Sequence, residues 1–154
     1  MKITLCSSAS FFNRLKNIQE ELERRGHEIF CPHVWDWRGK SEDEIKTVRR
    51  DLIRRHFKHI DLSDAIFVAN FDKDNIQGYI GGNVLLEMGK AFDKGIPIFL
   101  LDLPPQKLKY REEILALSPI VIGKDWDKLV LILKERSDHI QRLTQSFPAN
   151  HSLK

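Results

Sequence analysis

The sequence predicts an α/β protein: a single-domain, doubly wound, five-stranded parallel sheet with helices on both faces, of the Rossmann or flavodoxin-like kind. Three observations lead there. Short apolar strands alternate with helical stretches along the chain. The strands are apolar throughout rather than at every second residue, the pattern of a strand buried on both faces. A length of 154 residues, with 42% apolar and 31% charged side chains, suits one compact globular domain.

In chain order, Ile3 to Cys6 reads as the first strand and Ser7-Ser8-Ala9-Ser10 as the turn after it. A helix follows from about Phe11 to Arg25, closed by Gly26 as a C-cap. Glu28 to Cys31 is the second strand, ended by Pro32, and residues 33 to 40 form a loop holding Trp35 and Trp37. Ser41 with Glu44 makes a capping box, opening a helix to about Ile60. Ala65 to Ala69 is the third strand. The connection from Asn70 to Gly82 is long for such a unit, which marks it as functional.

Asn83 to Lys94 is helical and stops at Gly95, and Ile96 to Leu101 is the fourth strand. Beyond Pro104-Pro105 come a short helix near Tyr110 to Leu117 and a fifth strand, Ile120 to Ile122. Asp125 caps a last helix from Trp126 to about Thr144, so the domain is expected over 1–144 with a polar tail over 145–154. Ligands of such sheets sit outside the carboxyl ends of the strands. That rule points at four loops: Ser7 to Ser10, Pro32 to Lys40, Asn70 to Gly82 and Asp102 to Gln106.

Composition narrows the partners. A formal charge of +3 is too small to argue for nucleic acid. The basic run Arg49-Arg50, Arg54-Arg55, Lys58 is interrupted by Asp51 and Asp61 and reads as a solvated helix face. Apolar runs such as Leu129 to Leu133 fall far short of the ~18 residues that cross a bilayer. Met1-Lys2 leads straight into the first strand with no basic-then-apolar leader, so a cytoplasmic protein is expected. Two cysteines make no disulfide framework, and no Cys/His spacing resembles a zinc site. Cys6 and Cys31 read as small core residues, and neither metal nor cofactor is expected.

The chemistry concentrates around Gly81-Gly82-Asn83, just before the third long helix. Adjacent glycines allow close backbone approach, and a helix start offers free N–H groups to an anion. Val84, Leu85, Met88, Ala91 and Phe92 define the inward face on a helical wheel, with Glu87 at its margin and Asn83 one turn earlier. A carboxylate one turn into a helix beside a crevice can act as nucleophile or base. The alternative is a boundary glutamate paired with Lys90 at i+3. On the preceding helix, Arg49 and His56 fall within the stripe of Ile45, Val48, Leu52 and Ile60, as satisfied core residues or as groups reaching the crevice.

Ser63-Asp64, the strand Ile66 to Ala69, Leu86-Glu87-Met88-Gly89-Lys90-Ala91 and Gly95-Ile96-Pro97 together resemble the nucleoside 2-deoxyribosyltransferase superfamily, including its deoxynucleoside 5′-monophosphate N-glycosidase branch. The resemblance spans about residues 1 to 122 and is specific over 63 to 97. It implies that Glu87 attacks the anomeric carbon and becomes a glycosyl ester, passed on to another base or to water. It also implies a homo-oligomer, since family sites are commonly completed by a neighbouring subunit.

Two departures stand out: Gly81-Gly82-Asn83 occupies the place of an aspartate with glycines, and His56 stands where a second aspartate would lie. His56 and Asp72 are then the candidates to protonate the departing base. Ser7, Ser8 and Phe11 match the family's substrate-facing turn. Trp35 and Tyr79 can stack on a base, and Gly81, Gly82 and Asn83 can hold sugar or phosphate. Capping by Ser10, and cover of a sheet edge or subunit interface by the aromatics, are the alternatives.

The expected function is cleavage or transfer at the N-glycosidic bond of a (2′-deoxy)nucleoside or its 5′-monophosphate. NAD or ribonucleotide glycohydrolysis, a non-catalytic nucleotide-sensing module and a plain interaction protein remain alternatives.

Overall fold

The computed structural model describes residues 1–146, in two compact units divided between Lys124 and Asp125. The first unit runs β1 (Lys2–Cys6), a 3-10 turn (Ala9–Phe11), α1 (Phe12–Arg24), β2 (Glu28–Phe30), α2 (Glu42–Asp61), β3 (Ala65–Val68), α3 (Gly82–Asp93), β4 (Ile98–Leu100), α4 (Arg111–Ala116) and β5 (Ile120–Val121). The second is the helix α5 (Trp126–Ser146). Asp125 caps it, its Oδ1 accepting from the Lys128 N–H at 3.0 Å. The tail expected over 145–154 is helical as far as Ser146, and its remainder lies outside the described residues.

All five strands are parallel, in the order β2-β1-β3-β4-β5. Parallel crossovers are right-handed, so the change of direction after β2 places α1 on one face and α2, α3 and α4 on the other. Packing agrees. Cys6, Ile66, Val68, Ile98 and Leu100 from the strands meet Ile60 of α2, Val84, Met88 and Ala91 of α3, and Ile114 of α4. The alternate strand residues Ile3, Leu5, Phe67 and Phe99 are equally buried and point to the opposite face. There α1 supplies its buried Leu15, Ile18 and Leu22. The sheet is covered on both faces, which is why its strands carry no polar alternation.

Local chemistry sets the ends of the elements. The capping box on α2 is complete: Ser41 Oγ accepts from the Glu44 N–H at 3.2 Å, and the Glu44 carboxylate accepts from the Ser41 N–H at 2.9 Å. We expect Ser41→Ala to cost about 1 kcal/mol, read as a lower urea midpoint with an unchanged m-value. Ser10 does not cap α1; its hydroxyl pairs with Ser8 Oγ at 2.9 Å, and the 3-10 turn carries the chain into the helix at Phe12. Phe92, placed inward on the wheel, faces solvent. Strand β4 is shorter than expected because Pro97 has no N–H, although its carbonyl still accepts from Ile66 at 3.0 Å.

The long connection after β3 is built rather than open. Lys73 and Ile76 exchange backbone hydrogen bonds of 3.1 and 2.8 Å around Asp74-Asn75. Both central residues have positive φ, 52° and 59°, as a two-residue hairpin turn of the I′ type requires. Below this hairpin, buried Asn70 takes the Asp102 N–H on its Oδ1 at 2.9 Å and donates to the Asp102 and Leu103 carbonyls at 3.0 and 3.2 Å. Tyr110 donates to the Ile80 carbonyl at 2.6 Å. Among the described residues, no helix is long and apolar enough to cross a membrane.

Candidate active site

A cavity of about 500 Å³ opens outside the carboxyl ends of β1 and β3. In the order β2-β1-β3-β4-β5, β1 and β3 are the neighbours between which the connections diverge, the switch point where doubly wound sheets bind ligands. Three of the four expected loops wall it: Ser7 and Ser8 after β1, Cys31 to Trp35 with Trp37 after β2, and Lys73 with Tyr79 after β3. The fourth, Asp102 to Gln106, does not line it but anchors Asn70 from behind. Helix α2 contributes Arg49, Arg55, His56 and His59, and α3 contributes Gly81 to Val84 and Glu87. A larger hollow of about 570 Å³ lies along the outer side of α2, lined by Ile45, Ile53 and cationic side chains. Its one acid, Glu42, is exposed at the first turn of α2 among those cations, unlike the buried carboxylate of the first cavity.

The chemical centre lies where α2 and α3 converge on the end of β1. Glu87 leaves only 14% of its side chain exposed, and His56 leaves 7%. Their Oε1 and Nε2 atoms are 3.6 Å apart, and the same Nε2 lies 3.7 Å from the Cys6 thiol. The second carboxylate oxygen of Glu87 is buried with no hydrogen-bond partner. Glu87 does not pair with Lys90, which instead bonds Asp61 at 2.8 Å. It sits deeper than a boundary position because α2 packs over α3 at this turn.

Burial governs the charges. It pushes the Glu87 carboxyl up to about 8, opposed by a hydrogen bond from the Cys6 thiol. Burial also lowers His56 to about 4, helped by nearby His59, while a hydrogen bond to the Leu5 backbone works the other way. His56 is therefore neutral at physiological pH and faces Cys6 and Glu87. That does not suit the expected role of an imidazolium protonating a base near neutral pH. The Cys6 thiol is held well above its ordinary value by burial and by Glu87.

The other expected residues divide clearly. Ser7, Ser8, Trp35, Tyr79, Gly81, Gly82 and Asn83 line the cavity with Glu87 and His56. Asp72 does not: its Oδ1 accepts from the Gly78 N–H at 2.9 Å, so it serves the turn. Phe11 lies outside as well, its ring edge-on to Phe71 at 5.3 Å with the Arg14 guanidinium against both. Cys31 is a wall residue rather than core, its thiol donating to Gln19 at 3.1 Å.

Sequence reasoning missed Arg55, His33, His59 and Lys73 as lining residues; of these Arg55 and Lys73, together with Arg49, bring positive charge to the cavity. Lys73 Nζ reaches Ser8 Oγ at 3.4 Å and stands over the Tyr79 ring at 5.3 Å. A wheel that placed His56 inward also places His59 beside it at i+3. No comparable signal exists for Lys73, which the hairpin folds back across the chain.

Fold and site together define a doubly wound α/β protein with a buried carboxylate at its switch-point cavity. The fold is nucleoside 2-deoxyribosyltransferase-like. It matches the 2-deoxyribosyltransferase of Bacillus psychrosaccharolyticus with a TM-score of 0.55 and 18% identity, over 84% of this chain and 90% of that one. A conserved protein of Enterococcus faecalis V583 aligns with a TM-score of 0.49 and 18% identity, over 88% and 98% of the two chains. No protein-family model and no curated protein sequence matches the chain.

Proposed function

We propose that the protein cleaves or transfers at the N-glycosidic bond of a (2′-deoxy)nucleoside or its 5′-monophosphate, with Glu87 as nucleophile. The observation that carries this reading is the buried Glu87 carboxylate, one oxygen unpartnered, beside a nucleoside-sized cavity in a deoxyribosyltransferase-like fold. Cleaving the bond builds positive charge on the sugar. A carboxylate beneath the anomeric carbon stabilises that charge and then closes on it as a glycosyl ester. The ester passes its sugar to an acceptor base or to water. Ser7, Ser8 and the start of α3 hold sugar hydroxyls or phosphate, while Trp35 and Tyr79 flank the base. Arg49, Arg55 and Lys73 offset the negative charge of the leaving base or of a phosphate. In the expected homo-oligomer, a second copy would meet the half-exposed apolar stripe of α2.

The test is chromatographic detection of free base from deoxynucleosides, their 5′-monophosphates, ribonucleotides and NAD, with and without an acceptor base. A new nucleoside that forms only with acceptor makes the protein a transferase; free base without acceptor makes it a hydrolase. Because only the ionised carboxylate attacks, kcat/KM is expected to rise about tenfold per pH unit below 8 and to level off above it. A profile that is flat from pH 6 to 9 would remove Glu87 ionisation from the rate.

One observation favours a second reading. A carboxyl raised to about 8 is mostly uncharged at neutral pH, which suits a pocket that binds a nucleotide without turning it over. That module would gain about 2.7 kcal/mol of stability at ligand concentrations 100 times Kd, seen as a thermal shift without product.

A further inference from the structure

We propose that Cys6, His56 and Glu87 form a binding site for a thiophilic divalent cation of the zinc class, and that the bound cation masks the Glu87 carboxylate. The masking half rests on the nucleophile reading above; the site itself does not. Three elements deliver the three groups: the last residue of β1, the fourth turn of α2 and the second turn of α3. Their ligand atoms all lie within 4.8 Å of one another. Among the described residues, this is a thiol, an imidazole and a carboxylate converging on one point.

The spacing fits a shared cation better than a direct contact. At 3.6 Å, His56 Nε2 and Glu87 Oε1 are too far apart for a hydrogen bond. Zinc bonded at about 2.3 Å to sulfur and about 2.0–2.1 Å to nitrogen and oxygen sets tetrahedral ligand–ligand edges of roughly 3.3–3.6 Å. The His56–Glu87 separation of 3.6 Å lies at the upper end of that range and the Cys6–His56 separation of 3.7 Å just above it, and with all three atoms within 4.8 Å of one another the groups close on a cation by an inward shift of their side chains. The unpartnered Glu87 Oε2 is an independent sign, since a buried carboxylate oxygen is ordinarily satisfied.

The surroundings complete the picture. Cys6 lies behind the cavity wall while His56 and Glu87 line it, so the fourth position opens toward the cavity. Soft sulfur beside imidazole selects zinc or copper over magnesium and calcium. On binding, the Cys6 S–H bond is broken, its proton passes to solvent, and a sulfur–metal bond takes its place. The carboxylate then coordinates the cation and is not free to attack a sugar.

Chelator-treated protein titrated with cobalt(II) reads the site without any activity. We expect one equivalent to bind with a thiolate-to-cobalt charge-transfer band and visible d–d bands of tetrahedral intensity, all discharged by zinc. Cys6→Ala should abolish the charge-transfer band, and Cys31→Ala should keep it. Glu87→Gln, near-isosteric with the native side chain, should weaken cobalt binding by more than about tenfold, since loss of an outer-shell partner alone costs at least that.

No band in the native protein overturns the site, as does a band that survives Cys6→Ala. If Cys6→Ala fails to fold, unchanged cobalt affinity in Glu87→Gln overturns it instead. One equivalent of zinc should abolish base release and EDTA should restore it; base release untouched by bound zinc overturns the masking. A chelated protein that releases no base from any substrate refutes the nucleophile reading and leaves the cobalt result to decide the metal site.

Discussion

Glu87→Ala is expected to lower the rate of base release by about 10³-fold or more while the protein remains folded. The loss corresponds to roughly 4 kcal/mol of transition-state stabilisation, because no ester forms and no anion faces the developing charge on the sugar. The sequence suggests that the fold survives because Glu87 sits at a boundary; the structure gives a different reason. The side chain is nearly buried, but one oxygen has no partner and the other lies 3.6 Å from a neutral imidazole. Removing it strands no ion: Lys90 already pairs with Asp61. Initial rates by chromatography and a thermal melt of the same preparation check both halves. Native-like turnover in the variant would take Glu87 out of the mechanism.

Gly78→Ala is expected to destabilise the protein by about 3 kcal/mol, combining left-handed backbone strain with overpacking. Gly78 has φ +61°, and a Cβ there would be driven into the Leu103 carbonyl oxygen and lie 3.1 Å from Asn70 Nδ2. The Gly78 N–H also binds Asp72. Strain at this point spreads into the Asn70 latch and into the segment that carries Tyr79 and Gly81 to the cavity. For a chain of this size the midpoint of thermal unfolding should fall by roughly 6–12 °C. Gly82→Ala is the control: a Cβ there meets nothing within 4 Å, and its change should stay within about 0.5 kcal/mol. Equal melting temperatures for the two variants would refute this account of the turn.

The pair of glycines conspicuous in the sequence is thus not where the backbone is most constrained. Gly81-Gly82 can be read from its place before a helix, whereas the demand at Gly78 comes from Leu103, a residue 25 positions away. Asp72 shows the same limit. As an acid near Glu87 in the sequence it is a reasonable proton donor, and only the fold turns it toward its own loop.

The sequence by itself determined the class of the fold and the order of its elements. Doubly apolar strands, the Ser41–Glu44 box and glycines after helices are local signals that carry their meaning in a few residues. It also placed Glu87 beside a crevice, because helical periodicity fixes which side of α3 a residue occupies. The tertiary structure alone decided how Glu87 behaves. Desolvation depends on what covers a group, and the covering groups, His56 and Cys6, arrive from a different helix and a strand. That packing makes the carboxyl a weak acid, holds the imidazole neutral and brings a thiol to both. No spacing along the chain encodes such a meeting, because it rests on the parallel register that puts the end of β1 against β3 and beneath α2 and α3.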